Sequence, residues 1–474
     1  MRNRNNWKRR VALVACCGTI GAVLAGGIAG AGTVSGPVTG GSGFPANRWT
    51  ATDLAAQGYA EREYFLDGTA TAYGMATTWT SDGRWPAIET TQASFRTRMI
   101  VRHPINPRRF NGTVVVEWLN VSAGFDVDPV FIQANEELLR AGYAYVAVSA
   151  QRVGLEAVKA GDPARYSSLV HPGDSYSYDM FTQAGRAVVD DAALLLPGLD
   201  VERVLATGES QSASRMVTYI NAVHPRERVF DGFLVYSRGS GASSIFDGAT
   251  MPQYSLIRTD AREPIIDIQT EGDIVVLRSH LAHQPDTARF RLWELAGGAH
   301  ADEYTLSHPS PPTPSSPGAP CTNRLNSMRT HMLVNAGFRA LHRWVAYGLA
   351  PINAPRITLG SDANATDPVV RDWLGNALGG IRFPQLEAPV ARIDGIANPA
   401  PPGAPPLFQS FCRLFGRTFA FPDAALDLIY PTHDGYVDAV AMAARRAVRR
   451  GFLLPVDGIR VVSEAAAAPV GGDL

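Results

Sequence analysis

Apolar and polar positions along this chain follow two alternating periods. Short, uniformly apolar or β-branched runs at 113–118, 143–148, 203–206, 229–235, 264–269 and 290–295 lack the in-out alternation of a half-exposed strand and read as strands buried on both faces. Between them lie stretches with helical spacing: 129–141, then Phe181, Ala184, Ala187, Val188 and Ala192, then Met216, Tyr219, Ile220 and Ala222. Strand and helix in this rhythm predict an α/β fold, a mostly parallel sheet with helices on both faces. Reactive groups in such sheets gather at the carboxyl ends of the strands. Strand-like segments at 59–73 and 95–102, broken by turns at Asp67-Gly68 and Asn111-Gly112, open the sheet.

The same pattern sets the domain boundaries. Residues 32–48, rich in Gly, Pro, Ser and Thr, read as a flexible leader, and 49–348 as the core. Within the core the periodicity lapses at 237–263, an insertion that could cap a substrate site. A Pro/Ser-rich loop follows at 308–320, and an amphipathic helix with Met328, Met332, Ala336, Leu341 and Trp344 closes the core. A Pro-punctuated C-terminal extension packed on the core is expected at 349–457. It includes a helix over 436–450 stopped by Gly451, and 458–474 is left as a tail.

Chemistry concentrates where strands end. Val204-Leu205-Ala206-Thr207-Gly208-Glu209-Ser210-Gln211-Ser212 runs from an apolar strand into Gly-x-Ser-x-Ser and then into a helix. That is the arrangement of a nucleophile elbow, whose turn is so sharp that only small residues fit two places either side of the serine. Serine needs an imidazole to take its proton, and the imidazole needs a carboxylate to fix its tautomer. The next strands supply both types. The strand at 264–269 is followed by Glu271 and Asp273, and that at 290–295 by the Gly297-Gly298 loop and His300. Asp273 is favoured as the acid, with Glu271, closer to the strand end, as the alternative. His300 is favoured over His308, His331 and His433 because a glycine loop directly after a strand can turn an imidazole toward Ser210.

Composition narrows the classes. The chain has 46% hydrophobic and 18% charged residues and a net charge of −1 with no basic stripe, so nucleic acid is not an expected partner. No Cys/His spacing suits a metal, the His280 and His283 pair lacking a third ligand, and no cofactor is implied. Residues 1–31 carry a basic start and an apolar Gly/Ala-rich run ending in Ala29-Gly30-Ala31, the form of a signal peptide for export. Leu13-Val14-Ala15-Cys16 offers lipid anchoring to a membrane as an alternative, and an uncleaved anchor is another. Beyond the signal only Cys321 and Cys412 remain of four cysteines, and in an exported protein they suggest one disulfide.

Several stretches together resemble a bacterial family of alpha/beta hydrolase domain-containing proteins: Glu117-Trp118-Leu119-Asn120-Val121-Ser122, Pro172-Gly173-Asp174-Ser175-Tyr176, Ser210-Gln211-Ser212, Phe230-Asp231-Gly232-Phe233, Gln269-Thr270-Glu271, Ala299-His300-Ala301-Asp302 and Gly379-Gly380-Ile381-Arg382. The resemblance spans about residues 45–457. It implies the alpha/beta-hydrolase fold and a serine mechanism. Ser212 replaces the glycine usual in such elbows, and the His-Gly-Gly oxyanion motif of many lipases is missing, which argues against lipase specificity. An oxyanion hole would use the N–H of Gln211 and one from the 119–122 loop, Asn120 or Val121. Trp118, Phe125 and Trp293 either line an apolar pocket or pack the core. The expected activity is ester hydrolysis of a small molecule through an acyl-enzyme on Ser210. An acyltransferase using the same residues and a non-catalytic binding protein on the same fold are the alternatives.

Overall fold

The computed structural model describes residues 32–48, 50–307, 321–362 and 365–471; the signal peptide read at 1–31 lies outside them. Nine strands form one sheet: β1 (Thr33–Ser35), β2 (Tyr59–Met75), β3 (Ala87–Pro104), β4 (Thr113–Trp118), β5 (Ala144–Val148), β6 (Arg203–Glu209), β7 (Gly232–Tyr236), β8 (Ile265–Thr270) and β9 (Phe290–Leu295). Their order is β1-β2-β3-β5-β4-β6-β7-β8-β9. The first three strands and β5 pair antiparallel, and β5 through β9 run parallel.

Each parallel strand is apolar on both faces because both faces are covered. Val115, Leu205, Leu234 and Ile266 face one core with helices α1 (Pro129–Arg140) and α5 (Thr330–Tyr347). The alternate residues Val114, Val116, Ala206, Phe233 and Val235 face a second core with α2 (Ser177–Asp190) and α3 (Gln211–Thr218). This period-two division is what a strand buried on both sides requires. Trp118 and Trp293 are fully buried in these cores, whereas Phe125 is exposed.

Five expectations are corrected. Asp67-Gly68 is no turn: it lies inside β2, opposite Arg96 and Phe95. A side chain at Gly68 would collide with Gln183 and the Phe95 ring, so the glycine serves close packing there. The leader at 32–48 is anchored rather than flexible. Its residues 33–35 pair with β2, and its carbonyls accept from buried guanidiniums: Ala46 from Arg98, Asn47 from Arg102, Val38 and Gly40 from Arg165. The tail at 458–474 begins inside a helix, α7 (Pro455–Ala466), whose Val461 and Ala465 join the first core. It packs on α6 (His433–Arg450), which starts three residues earlier than expected, capped by Thr432. Ala192 falls beyond α2, which ends at Asp190.

The excursion at 237–263 contains neither helix nor strand. It leaves the carboxyl end of β7 and is held against α2 and α3, where Ser243 N donates to Ser214 O, and Thr218 and Tyr178 hydroxyls donate to Ser243 O and Ser244 O. Arg238 returns it to β8 through a buried pair with Asp267, 2.7 Å.

The extension adds to the sheet border. Ile381 bridges to Leu295 of β9 in parallel sense, with Ile381 N donating to Glu294 O and Ala296 N to Ile381 O. It also carries a small hairpin of β10 (Ala391–Asp394) and β11 (Arg417–Ala420). Cys321 and Cys412 form a disulfide with Cα atoms 5.5 Å apart. Among the described residues no helix is long and apolar enough to cross a membrane.

Candidate active site

β6 ends at Glu209 and α3 begins at Gln211, so the whole reversal falls on Ser210, with φ 56° and ψ −115°. A non-glycine residue in such a conformation costs about 1–3 kcal/mol and persists only where its surroundings fix it. They do so here. Ser210 N donates to Tyr236 O, and Ser214 N to Ser210 O. A Cβ at Gly208 would stand 2.9 Å from the Ser212 backbone. Ser212, in the place where glycine is usual, is fully buried, and its hydroxyl accepts from Glu209 N at 3.0 Å and donates to Glu209 O at 2.9 Å. The hydroxyl thus closes the turn from inside, bonding both the N–H and the carbonyl of Glu209.

Ser210 remains partly exposed, and its Oγ lies 2.9 Å from His300 Nε2. His300 Nδ1 lies 2.6 Å from Asp273 Oδ1. Asp273 is fully buried at the first turn of α4 (Glu271–Leu277), where it forms a capping box with Thr270: its Oδ2 accepts from Thr270 N and Oγ1, while Asp273 N donates to Thr270 Oγ1. This leaves Oδ1 for the imidazole. Burial works against protonation of His300, but the hydrogen bond and charge of Asp273, aided by Glu209, outweigh it and raise its pKa above the ordinary histidine value. An imidazole so held can take a proton from a serine hydroxyl and return it to a leaving group.

Glu271 does not join this chain. Its carboxylate accepts from Gly297 N at 2.8 Å, Gly395 N at 3.0 Å and Arg371 at 2.8 Å. It therefore ties the His300 loop to the extension, and its placement as the alternative acid is corrected: the first residue of α4 points away from the imidazole. His331 stacks on Tyr304 with ring centres 3.8 Å apart, and both ring nitrogens of His433 meet carbonyls of 466 and 470. His308 lies outside the described residues.

The 119–128 loop stands beside the serine. Asn120 is corrected as an oxyanion donor: its N–H bonds Val127 O, in a bridge that pulls the loop closed, and its side chain donates to Glu209 O and Oε2, each at 3.0 Å. The N–H groups of Val121 and Gln211 have no acceptor among the described residues. Gln211 is the first residue of a helix, where N–H groups are free to meet an anion.

Buried charges secure this loop. Arg98 pairs with Glu63 and with Asp126, and Arg102 with Glu61 and Asp128. From β4, just before the loop, Glu117 accepts from Val130 N and Phe131 N at the start of α1. Burial pushes the Glu117 carboxyl well above the usual carboxylate range, against its three hydrogen bonds from Tyr145, Val130 and Phe131.

The residue that sequence reasoning passed over is Glu209. It is 8% exposed, and its Oε1 lies 3.3 Å from His300 Nε2. Burial raises its pKa to about 7, against the opposing charge of His300 and the Asn120 hydrogen bond. An acid at the end of an otherwise apolar strand was the available signal. Among the described residues no group of three or more His, Cys, Asp or Glu side chains is placed to hold a metal ion.

The strand order, the covered parallel sheet and the serine on its sharp bend define an alpha/beta hydrolase. The sequence matches the family described as alpha/beta hydrolase domain over residues 34–463, and the chain belongs to that family. No curated protein matches it. Among solved structures it is similar to a putative dienelactone hydrolase from Klebsiella pneumoniae subsp. pneumoniae MGH 78578, at 12% identity, 48% of this chain, 85% of that one and a TM-score of 0.26. It is also similar to a fungal esterase from Rhizomucor miehei, at 9% identity, 60% and 84% coverage and a TM-score of 0.29. A third likeness is to methylesterase BT1017, at 14% identity, 50% of each chain and a TM-score of 0.27.

Proposed function

We propose that the protein is an exported serine hydrolase that cleaves carboxylic esters of small molecules. The observation that carries this reading is the unbroken chain Ser210 Oγ to His300 Nε2, 2.9 Å, and His300 Nδ1 to Asp273, 2.6 Å. Ser210 attacks the ester carbonyl while its proton passes to His300. The resulting oxyanion is met by the N–H groups of Gln211 and Val121. His300 then gives the proton to the departing alkoxide, leaving an acyl group on Ser210 that water removes by the same steps in reverse order. Asp273 keeps the imidazole tautomer that accepts at Nε2. Export rests on the 1–31 signal, and a buried disulfide suits an oxidising compartment.

The test is labelling of the mature chain with a fluorophosphonate probe and hydrolysis of p-nitrophenyl acetate, in wild type and Ser210→Ala. Labelling and turnover that vanish in Ser210→Ala are expected. A folded wild type that neither labels nor turns over overturns the reading.

A further inference from the structure

Ser210 and Glu209 approach the same atom. Ser210 Oγ lies 2.9 Å from His300 Nε2, and Glu209 Oε1 lies 3.3 Å from that nitrogen. The other oxygen of Glu209 accepts from the Asn120 amide at 3.0 Å. Among the described residues His300 is the only ion-pairing partner of Glu209; no arginine or lysine faces it. If the side chain served only to hold Asn120, a glutamine would do so without a charge to bury, and burying a carboxylate that has no cationic partner is costly. The carboxylate makes chemical sense when the imidazole beside it becomes a cation.

Resting on the Ser210 reading, we infer that Glu209 is a second carboxylate partner of His300, acting on Nε2 from the side opposite Asp273 and holding the imidazolium that forms when Ser210 gives up its proton. The step adds nothing to the atom balance. The Ser210 proton moves to Nε2, the Oγ–carbonyl bond forms, and the proton later leaves Nε2 for the alkoxide. Throughout, Glu209 stabilises the cation at Nε2. Asp273 orients the ring through Nδ1; Glu209 acts on the nitrogen that moves the proton.

The groups facing Glu209 are few. His300 comes from the loop after β9, Asp273 from α4 and Asn120 from the loop after β4. Tyr236 comes from β7, its phenol held undissociated chiefly by burial and further by Asp302, Glu209 and Asp273. Ionised Glu209 supports the cation and protonated Glu209 does not, so the enzyme needs both His300 and Glu209 free of their protons before attack. The two titrate as a coupled pair.

The experiment compares pH profiles of kcat/KM for p-nitrophenyl acetate in wild type, Glu209→Gln and Glu209→Asp, each checked for fluorophosphonate labelling. In wild type the acid limb should approach a two-proton slope. In Glu209→Gln it should fall to one proton, with its midpoint at lower pH because His300 has lost a negative neighbour, and kcat should drop by roughly tenfold, the equivalent of one pK unit of support for the imidazolium. KM should change little, and Glu209→Asp should restore the two-proton limb. An unchanged slope and midpoint in a labelled, folded Glu209→Gln enzyme overturns the inference and leaves the Ser210 reading intact; an unlabelled wild type overturns that reading itself. Should Glu209→Gln fail to fold, the His300 ring is titrated by NMR in wild type. Two-step titration is expected, and a single step overturns the inference.

Discussion

Glu271 and Asp273 stand two residues apart at the start of one helix, yet their carboxylates meet different partners. Asp273 reaches His300 at 2.6 Å, while Glu271 turns back to Gly297, Gly395 and Arg371. Exchanging each acid for its amide should therefore give different losses. Asp273→Asn should lower ester turnover by roughly 10³–10⁴-fold, because an amide cannot hold the productive tautomer. Glu271→Gln should lower stability by about 1–3 kcal/mol, since one of its buried donors loses a charged acceptor. Denaturant unfolding and steady-state kinetics on both variants check this; equal kinetic loss in the two would refute the division.

Ser212→Ala removes the hydroxyl that bonds both Glu209 N and Glu209 O. Glu209 O keeps the Asn120 amide, but loss of the bond to the buried Glu209 N should cost about 1–3 kcal/mol and loosen the bend that presents Ser210. Slower fluorophosphonate labelling at a lower unfolding midpoint is expected, and labelling at the wild-type rate would show that the bend is held without it.

Arg98 reaches Asp126 and Glu63 with no exposure on any of the three side chains. Arg98→Met leaves the buried Asp126 without its cation, while Glu63 keeps Arg165 at 2.7 Å, so a loss of about 3–5 kcal/mol is expected. The loop at 119–128 should also become open to protease before the sheet unfolds. Limited proteolysis with mass analysis reads the site of first cleavage, and cleavage elsewhere would place the weak point outside this loop.

The Cys321–Cys412 bridge joins residues 91 apart in sequence and packs with Leu325, Phe415 and Ala301, next to His300. Ala301 N donates to Leu414 O. Replacing both cysteines by serine should cost about 2–5 kcal/mol, most of it through the freed unfolded chain. Thermal unfolding with and without a reductant should show the same drop in wild type on reduction and none in the double variant.

The parallel sheet was legible because strands buried on both faces must be apolar throughout, and 113–118 and 290–295 coincide with β4 and β9. The positions of Ser210, Asp273 and His300 followed from the rule that reactive groups sit after strand ends. What stayed hidden was polar and long-range. Arg98 and Arg102 lie inside a strand, where a charge looks like an outward position, and their partners Asp126 and Asp128 come from a loop 28 and 26 residues away. Glu209 occupies a position the motif leaves free. The leader misled because Gly and Pro suggest flexibility when, in fact, its carbonyls are what the buried guanidiniums need. Asp67-Gly68 carried a local turn signal that the long register of β2 with β3 overrode.

Because Ile381 takes up the hydrogen-bonding groups of Glu294 and Ala296, part of the outer border of β9 is denied to a strand from another molecule. At the opposite border Thr33–Ser35 covers three residues of β2, and beyond it Thr71 N and Thr69 O are taken by the side chains of Asp179 and Gln183. A sheet of this breadth would otherwise invite end-to-end polymerisation through its unpaired margins. Here the C-terminal extension serves partly as a guard against that fate.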